Sequence, residues 1–219
     1  MKAHTCNGTA FILLTTVTLS FTLSGCVTAP VTEPMHYDIS STSNSFDDVA
    51  RYPSNKTNSA GHCLASIEEI EDHRGSKISF GSSPYFQKFA ESVPQWTKEG
   101  FQTLGGDGYK LAFHEKNDIK TDAHVTMRVK IHKAYMLHQY TSKSANLALS
   151  VDYKASNKPT ETKLYRGRYT TVNWVNSAGE IEGAMNEALS NVLAKINNDI
   201  KHYCVSLQSI DSRAVGGIL

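Results

Sequence analysis

Nine histidines and the acidic run Glu68-Glu69-Ile70-Glu71-Asp72 are the residues of this 219-residue chain whose types first suggest chemistry. A metal ion needs its ligands gathered about one point, and paired carboxylates do acid–base work only around a bound substrate. His124 and His132 fall on one face of an alternating segment. At about 3.3 Å per residue they stand roughly 26 Å apart, too far to share an ion. His114, His138 and His202 have no regular spacing to a carboxylate pair, so the histidines read as solvated surface residues. The acidic run reads equally well as a strand end exposed to water. No G-x-S-x-G elbow, Walker A loop, H-E-x-x-H helix or G-x-G-x-x-G fingerprint occurs. The expectation is therefore a protein that is not an enzyme, with no catalytic, cofactor-binding or metal site. Recognition chemistry has more to work with. Arg128, Lys130 and Lys133 line the polar side of one strand and could meet an anionic headgroup, glycan or protein, the alternative being an ordinary solvated face. Tyr135, Tyr140, Tyr165, Tyr169 and Trp174 could add an aromatic patch, though half of them are expected to pack beneath a helix.

The cysteines imply a different chemistry. Lys2 precedes an uncharged apolar stretch from Ala10, with Phe11 to Leu23 rich in Leu, Ile, Phe, Val and Thr. Small residues Ser24 and Gly25 then lead into Cys26, the layout of a secretory signal over residues 1–25. Leu23-Ser24-Gly25-Cys26 resembles the lipobox of bacterial lipoproteins. The resemblance implies a diacylglycerol on Cys26, cleavage before it, and a further acyl chain such as palmitate on the new N-terminus. Val27 in place of Asp implies transfer to the outer membrane, facing the periplasm. The alternatives are an ordinary signal with an incidental cysteine, or an uncleaved anchor. The apolar run is short for a span of about 20 residues. Several acyl chains anchor stably where one binds marginally. With Cys6 in the signal and Cys26 lipidated, Cys63 and Cys204 remain as a candidate disulfide in an oxidising compartment. Two separate buried thiols are the other reading.

The elements that must hold these residues follow from the pattern. Removing Lys2 takes 22 basic residues to 21 against 21 acidic, so the mature chain is formally neutral, with no global field for nucleic acid. Residues 26–60 read as a flexible tether, with Pro30, Pro34 and Pro53 among Ser, Thr and Asn. Its reach is roughly 30–35 Å. Asn55-Lys56-Thr57 matches a glycosylation acceptor, which a bacterial lipoprotein rarely uses. A domain over 61–205 begins with a strand from Cys63 to Glu71 and a turn at Asp72-His73-Arg74-Gly75. Phe86, Phe89, Val93 and Trp96 recur at helical spacing, and Pro94 predicts a kink or two short helices ending at Gly105-Gly106. Tyr109, Leu111 and Phe113 alternate as a short strand. Val125, Met127, Val129, Ile131 and Tyr135 set the inward face of the clearest strand. Ala145 to Tyr153 and Leu164 to Val175 give two more, expected as an antiparallel meander with one solvated face. Ser177-Ala178-Gly179-Glu180 fits a capping box, followed by one apolar face from Ile181 to Ile200 and an opposite side carrying Asn186, Glu187, Asn191, Lys195 and Asn198. The tail 206–219 is expected to be loose. The fold class is α+β: a mostly antiparallel sheet with a long C-terminal helix and a shorter kinked helix on one face.

Three segments carry a family likeness: the first strand running into Asp72-His73-Arg74, Tyr165-Arg166-Gly167-Arg168-Tyr169, and the helix around Ala184-Met185-Asn186-Glu187-Ala188-Leu189-Ser190-Asn191-Val192-Leu193. With the lipobox and the element order, the chain resembles the YajG-like outer-membrane lipoproteins. The resemblance implies a non-enzymatic periplasmic domain that binds or assists assembly of another envelope component, with an envelope protein as partner and the membrane held through the lipid anchor. Auxiliary lipoproteins of ABC-type phospholipid transport systems and lipoprotein activators of peptidoglycan synthases share the layout and are the alternatives. An envelope hydrolase, the third class, would need a cleft of converging polar groups.

Overall fold

The computed structural model describes residues 34–38, 40, 63–75, 87–105, 108–114, 124–155, 158–172 and 178–215, the stretches 87–88 and 208–215 as backbone. The signal 1–25, Cys26 and most of the tether lie outside the described residues. In chain order the elements are β1 (Cys63–Asp72), α1 (Gln87–Gln102), β2 (Tyr109–Phe113), β3 (Val125–His138), β4 (Ser142–Ala155), β5 (Glu161–Val172) and α2 (Ala178–Val215). They build one five-stranded sheet in the order β2-β1-β3-β4-β5. β3, β4 and β5 form the antiparallel meander, while β1 runs parallel to both β2 and β3. The architecture is α+β, with most of the ladder antiparallel.

Alternation decides which side of the sheet is covered. Cys63, Ala65 and Ile67 of β1, Val125 to Ile131 at every second position of β3, and Ala145 to Tyr153 of β4 are all buried. Against them lie Phe89, Val93 and Trp96 of α1 and the α2 stripe containing Leu189 and Val192, both fully buried. Burial of such side chains contributes roughly 1.5–3 kcal/mol each. Both helices thus cover one face, and among the described residues no helix lies on the other, the open face.

The inward assignment of Tyr135 needs correction. A β-bulge between Ile131 and Lys133 inserts one residue, so Ala134 and Met136 take the core side and Tyr135 pairs with Asn146 on the open side. A second bulge in β1 turns both Glu68 and Glu69 outward.

α1 also differs from expectation, because one helix continues through Pro94. Proline lacks the N–H that would bond to the carbonyl four residues earlier, which is Ala90. That carbonyl instead accepts from Arg74 Nη2 at 2.6 Å, and Asp72 grips the same guanidinium at 2.8 and 2.9 Å. Asp72-His73-Arg74 is therefore a brace that repairs the helix at its proline.

α2 is buried over a wider arc than its apolar stripe. Asn186 and Glu187, expected on the solvent side, are 1% and 4% exposed. α1 lies beside α2 there, with the Trp96 indole donating to Asn186 Oδ1 at 2.7 Å. Gly100 makes the approach possible, since a Cβ on it would lie 2.6 Å from Leu189 Cδ2. The helix runs on to Val215, past the point where a loose tail was expected to begin. Ser177 of the expected capping box is outside the described residues, and Glu180 pairs with Lys143.

Candidate interaction face and the docked N-terminal segment

On the open face the two bulges divide the strands into a neutralised half and a cationic half. In the first, Arg128 bonds to Glu68 at 2.8 Å and Lys130 to Asp152 at 2.9 Å, with Thr162 Oγ1 donating to Asp152 at 2.6 Å. Glu68 raises the Arg128 guanidinium, and Asp152 raises Lys130. The Thr162 hydroxyl, followed by Lys130, holds Asp152 below the usual carboxylate range. His73 does the same to Glu71. Two of the three flagged cations are thus answered across strands, Arg128 by Glu68 of the acidic run and Lys130 by Asp152 of β4.

Beyond the β3 bulge the balance changes. Lys133 pairs in register with Ala148 and that with Arg166, while Tyr135 pairs with Asn146 and that with Arg168. Lys133, Arg166 and Arg168 are exposed, with no ion-pair partner among the described residues. Between them β4 offers only the short side chains of Ala148 and Asn146. Leu137 is 46% exposed, Val172 52%, and Tyr140 at the β3–β4 hairpin tip is fully exposed. Cations and apolar groups therefore share this half of the face.

The other flagged aromatics are elsewhere. Tyr165 and, in part, Tyr169 turn under α2. Tyr165 and Tyr153 share a 2.8 Å hydroxyl contact, and Tyr165 donates to Asp199, which also holds Lys163 at 2.9 Å. Tyr153 stacks on Tyr203 at 4.8 Å. Burial raises all three phenols and pushes Tyr109 to about 12, so they stay protonated donors. Gly167, between Arg166 and Arg168, is where α2 meets β5: a Cβ there would lie 2.0 Å from the Ala188 carbonyl oxygen. Lys195 of α2 reaches over to the Arg166 carbonyl at 3.1 Å, occupying an acceptor of the edge strand. Trp174 lies outside the described residues.

The histidines are placed singly or in pairs. His124 Nδ1 accepts from the Leu64 N–H at 3.1 Å, His132 bonds to Ser150 Oγ at 2.7 Å, and His73 meets His132 edge-on at 6.2 Å. The His114 N–H extends the β1–β2 ladder by bonding to the Ile67 carbonyl, and His202 is exposed on α2. Among the described residues no three potential ligands gather for a metal ion. Cys63 and Cys204 are joined, with their α-carbons 5.6 Å apart.

The largest departure from the sequence reading lies in the tether, which is not flexible throughout. Residues 34–38 are seated against the helix pair. Met35 is fully buried in the core, its N–H bonded to Ser92 Oγ at 2.9 Å. The His36 N–H donates to Glu182 Oε1 at 2.7 Å and the Tyr37 N–H to Glu99 Oε2 at 3.0 Å. Burial alone would raise Glu99, but hydrogen bonds from Tyr37, Gln95 and His36 outweigh it and hold the carboxyl below its usual range. The only prior sign was Met35 and Tyr37, two large side chains within a Ser/Thr/Asn-rich stretch.

No family model and no curated protein matches the chain. Among solved structures it is similar to a DUF330 protein from Xanthomonas campestris, at 10% identity and TM-score 0.44, covering 71% of this chain and 93% of that one. The PelC dodecamer protein of Paraburkholderia phytofirmans gives 10% identity and TM-score 0.35, covering 61% and 87%. A minor lipoprotein from Acinetobacter baumannii gives 10% identity and TM-score 0.32, covering 68% and 94%. At these values the likenesses carry no argument about what this chain does.

Proposed function

We propose that this chain is a lipoprotein of the bacterial envelope, anchored to the outer membrane through acyl chains on Cys26 and facing the periplasm. Its domain is non-enzymatic and binds or assists assembly of another envelope component. The observation that carries the reading is the docked segment that begins at Pro34, eight positions beyond Cys26 of the lipobox-like Leu23-Ser24-Gly25-Cys26. With Met35 locked into the core, the chain from Cys26 can span at most about 30 Å. The domain is then held at the membrane surface instead of drifting on a long leash. The Cys63–Cys204 disulfide supports an oxidising compartment. No helix among the described residues is long and apolar enough to cross a membrane; the assignment of attachment to lipid rests on the lipobox-like Leu23-Ser24-Gly25-Cys26. The YajG-like layout remains our reading of the subfamily, supported by the order strand, helix, strands, helix. Of its likeness segments, Asp72-His73-Arg74 braces α1, and Tyr165, Gly167 and Tyr169 pack under α2 while Arg166 and Arg168 stay exposed.

Cys26→Ala tests the anchor. The variant is expected to accumulate as precursor, without acyl label and without outer-membrane fractionation. A variant that reaches the outer membrane at mature mass would overturn the reading. Crosslinking in intact envelopes should then name the partner: a phospholipid permease or a peptidoglycan synthase would select one of the two alternative roles.

A further inference from the structure

The same end of the molecule that receives the N-terminal segment also carries the exposed apolar tip and the unpaired cations. β3 ends there at His138, the Gln139 N–H closes the hairpin onto the Ser142 carbonyl at 2.8 Å, and Ser142 pairs with Val172 at the end of β5. α2 starts at this end too, because Glu180 pairs with the fully buried Lys143. Residues 35 to 37 pass from Ser92 to Glu99, following α1 in its own direction and away from this end. Within the described segment, Met35 thus lies nearer the hairpin tip than Tyr37 does, and the path from 37 back to 35 points toward that tip. Opposite it, at the far end of the sheet, are the disulfide, Lys154 and the start of β5.

We propose that this end is a membrane-contact surface. The hairpin tip, with Tyr140, Leu137 and Val172, enters the interface of the bilayer that holds the Cys26 acyl chains, and Lys133, Arg166 and Arg168 lie against its phosphates. The inference rests on the anchor reading for the direction in which the chain leaves. Two independent features of the domain agree with it. Aromatic rings with a polar tip and aliphatic neighbours favour the headgroup level, and basic side chains behind them complement anionic lipid. The cations lie two to three cross-strand rows behind the tip, so the sheet leans with the cationic half of its open face toward the lipid. The neutralised half, with Glu68–Arg128 and Lys130–Asp152, is turned away and left for other partners.

The test uses the mature chain, acylated on Cys26, in vesicles of phosphatidylethanolamine and phosphatidylglycerol. A nitroxide on Tyr140→Cys is compared with one on Lys154→Cys at the far end; both sites are exposed and Cys63 and Cys204 are bonded to each other. The Tyr140 label is expected to be accessible to oxygen and shielded from a water-soluble relaxant, the Lys154 label the reverse. Equal exposure of both to the water-soluble relaxant overturns the proposal. In a second arm, unacylated Cys26→Ser protein is sedimented with the same vesicles. The triple change Lys133→Glu, Arg166→Glu, Arg168→Glu should weaken that binding about tenfold or more, and unchanged binding counts against the surface. Acyl labelling of Cys26 is read separately. A chain lacking acyl groups sinks the anchor reading, and the sedimentation arm then decides the surface by itself.

Discussion

Removing the Arg74 guanidinium is expected to cost about 3 kcal/mol, because it takes the charged partner from the Asp72 carboxylate, which keeps the residue 74 N–H, and the side-chain donor from the Ala90 carbonyl in a buried place. Arg74→Ala should therefore lower the urea midpoint strongly. In a Pro94→Ala background the loss should shrink by about 1–2 kcal/mol, since the restored N–H at position 94 takes over the Ala90 carbonyl. Equal losses in both backgrounds would refute the brace. Glu99 offers a pH-dependent counterpart. Its folded value lies below the ordinary 4.5, so its hold on Tyr37 is complete above that pH and is lost as pH falls through the lowered folded value. Hydrogen exchange of the Met35 to Tyr37 amides should quicken, relative to the intrinsic rate, as pH falls through that lowered value and ahead of global unfolding. Glu99→Gln should weaken docking by about 1 kcal/mol at pH 7 by removing the charge-assisted bond.

At the level of elements, the contact of α2 with β5 depends on a missing side chain. Gly167→Ala would drive a methyl group into the Ala188 carbonyl and Val192, so α2 must lift, at a cost of about 1–3 kcal/mol. Gly183→Ala in the same helix meets nothing within 4 Å and should stabilise by about 0.4–1 kcal/mol. Thermal melts of the two variants should therefore shift in opposite directions. The elements themselves were legible in the sequence wherever a period ran unbroken, as in β3 up to Ile131, β4, and α2 from Ile181 to Ile200. They were misread where one residue breaks the period. The bulge at His132 reverses Tyr135, and Pro94 reads as a break until Arg74 is seen behind it.

The whole molecule is fastened at opposite ends, by the disulfide at the start of β1 and by the N-terminal segment at the start of α2. Cys63 and Cys204 are 141 residues apart, so the chain-entropy model gives the bridge about 5 kcal/mol. Both thiols in protein from native envelopes should resist alkylation until reductant is added, and Cys204→Ser should lower the melting temperature accordingly. Free alkylation without reductant would remove the bridge from the account. The sequence by itself determined the fold class, the inward face of most strands, the buried stripe of α2 and the candidate pairing of the two domain cysteines. Each of these follows from local periodicity or from cysteine accounting, and needs no knowledge of what lies across the sheet. Tertiary structure alone decided the parallel insertion of β1, the burial of Asn186 and Glu187, the seating of Met35, and which cations stay unpaired. Those outcomes depend on which distant side chain arrives opposite. Arg128 and Lys133 look alike along the chain, but Glu68 reaches only the first. The neutral total charge concealed a face that is balanced in one half and basic in the other.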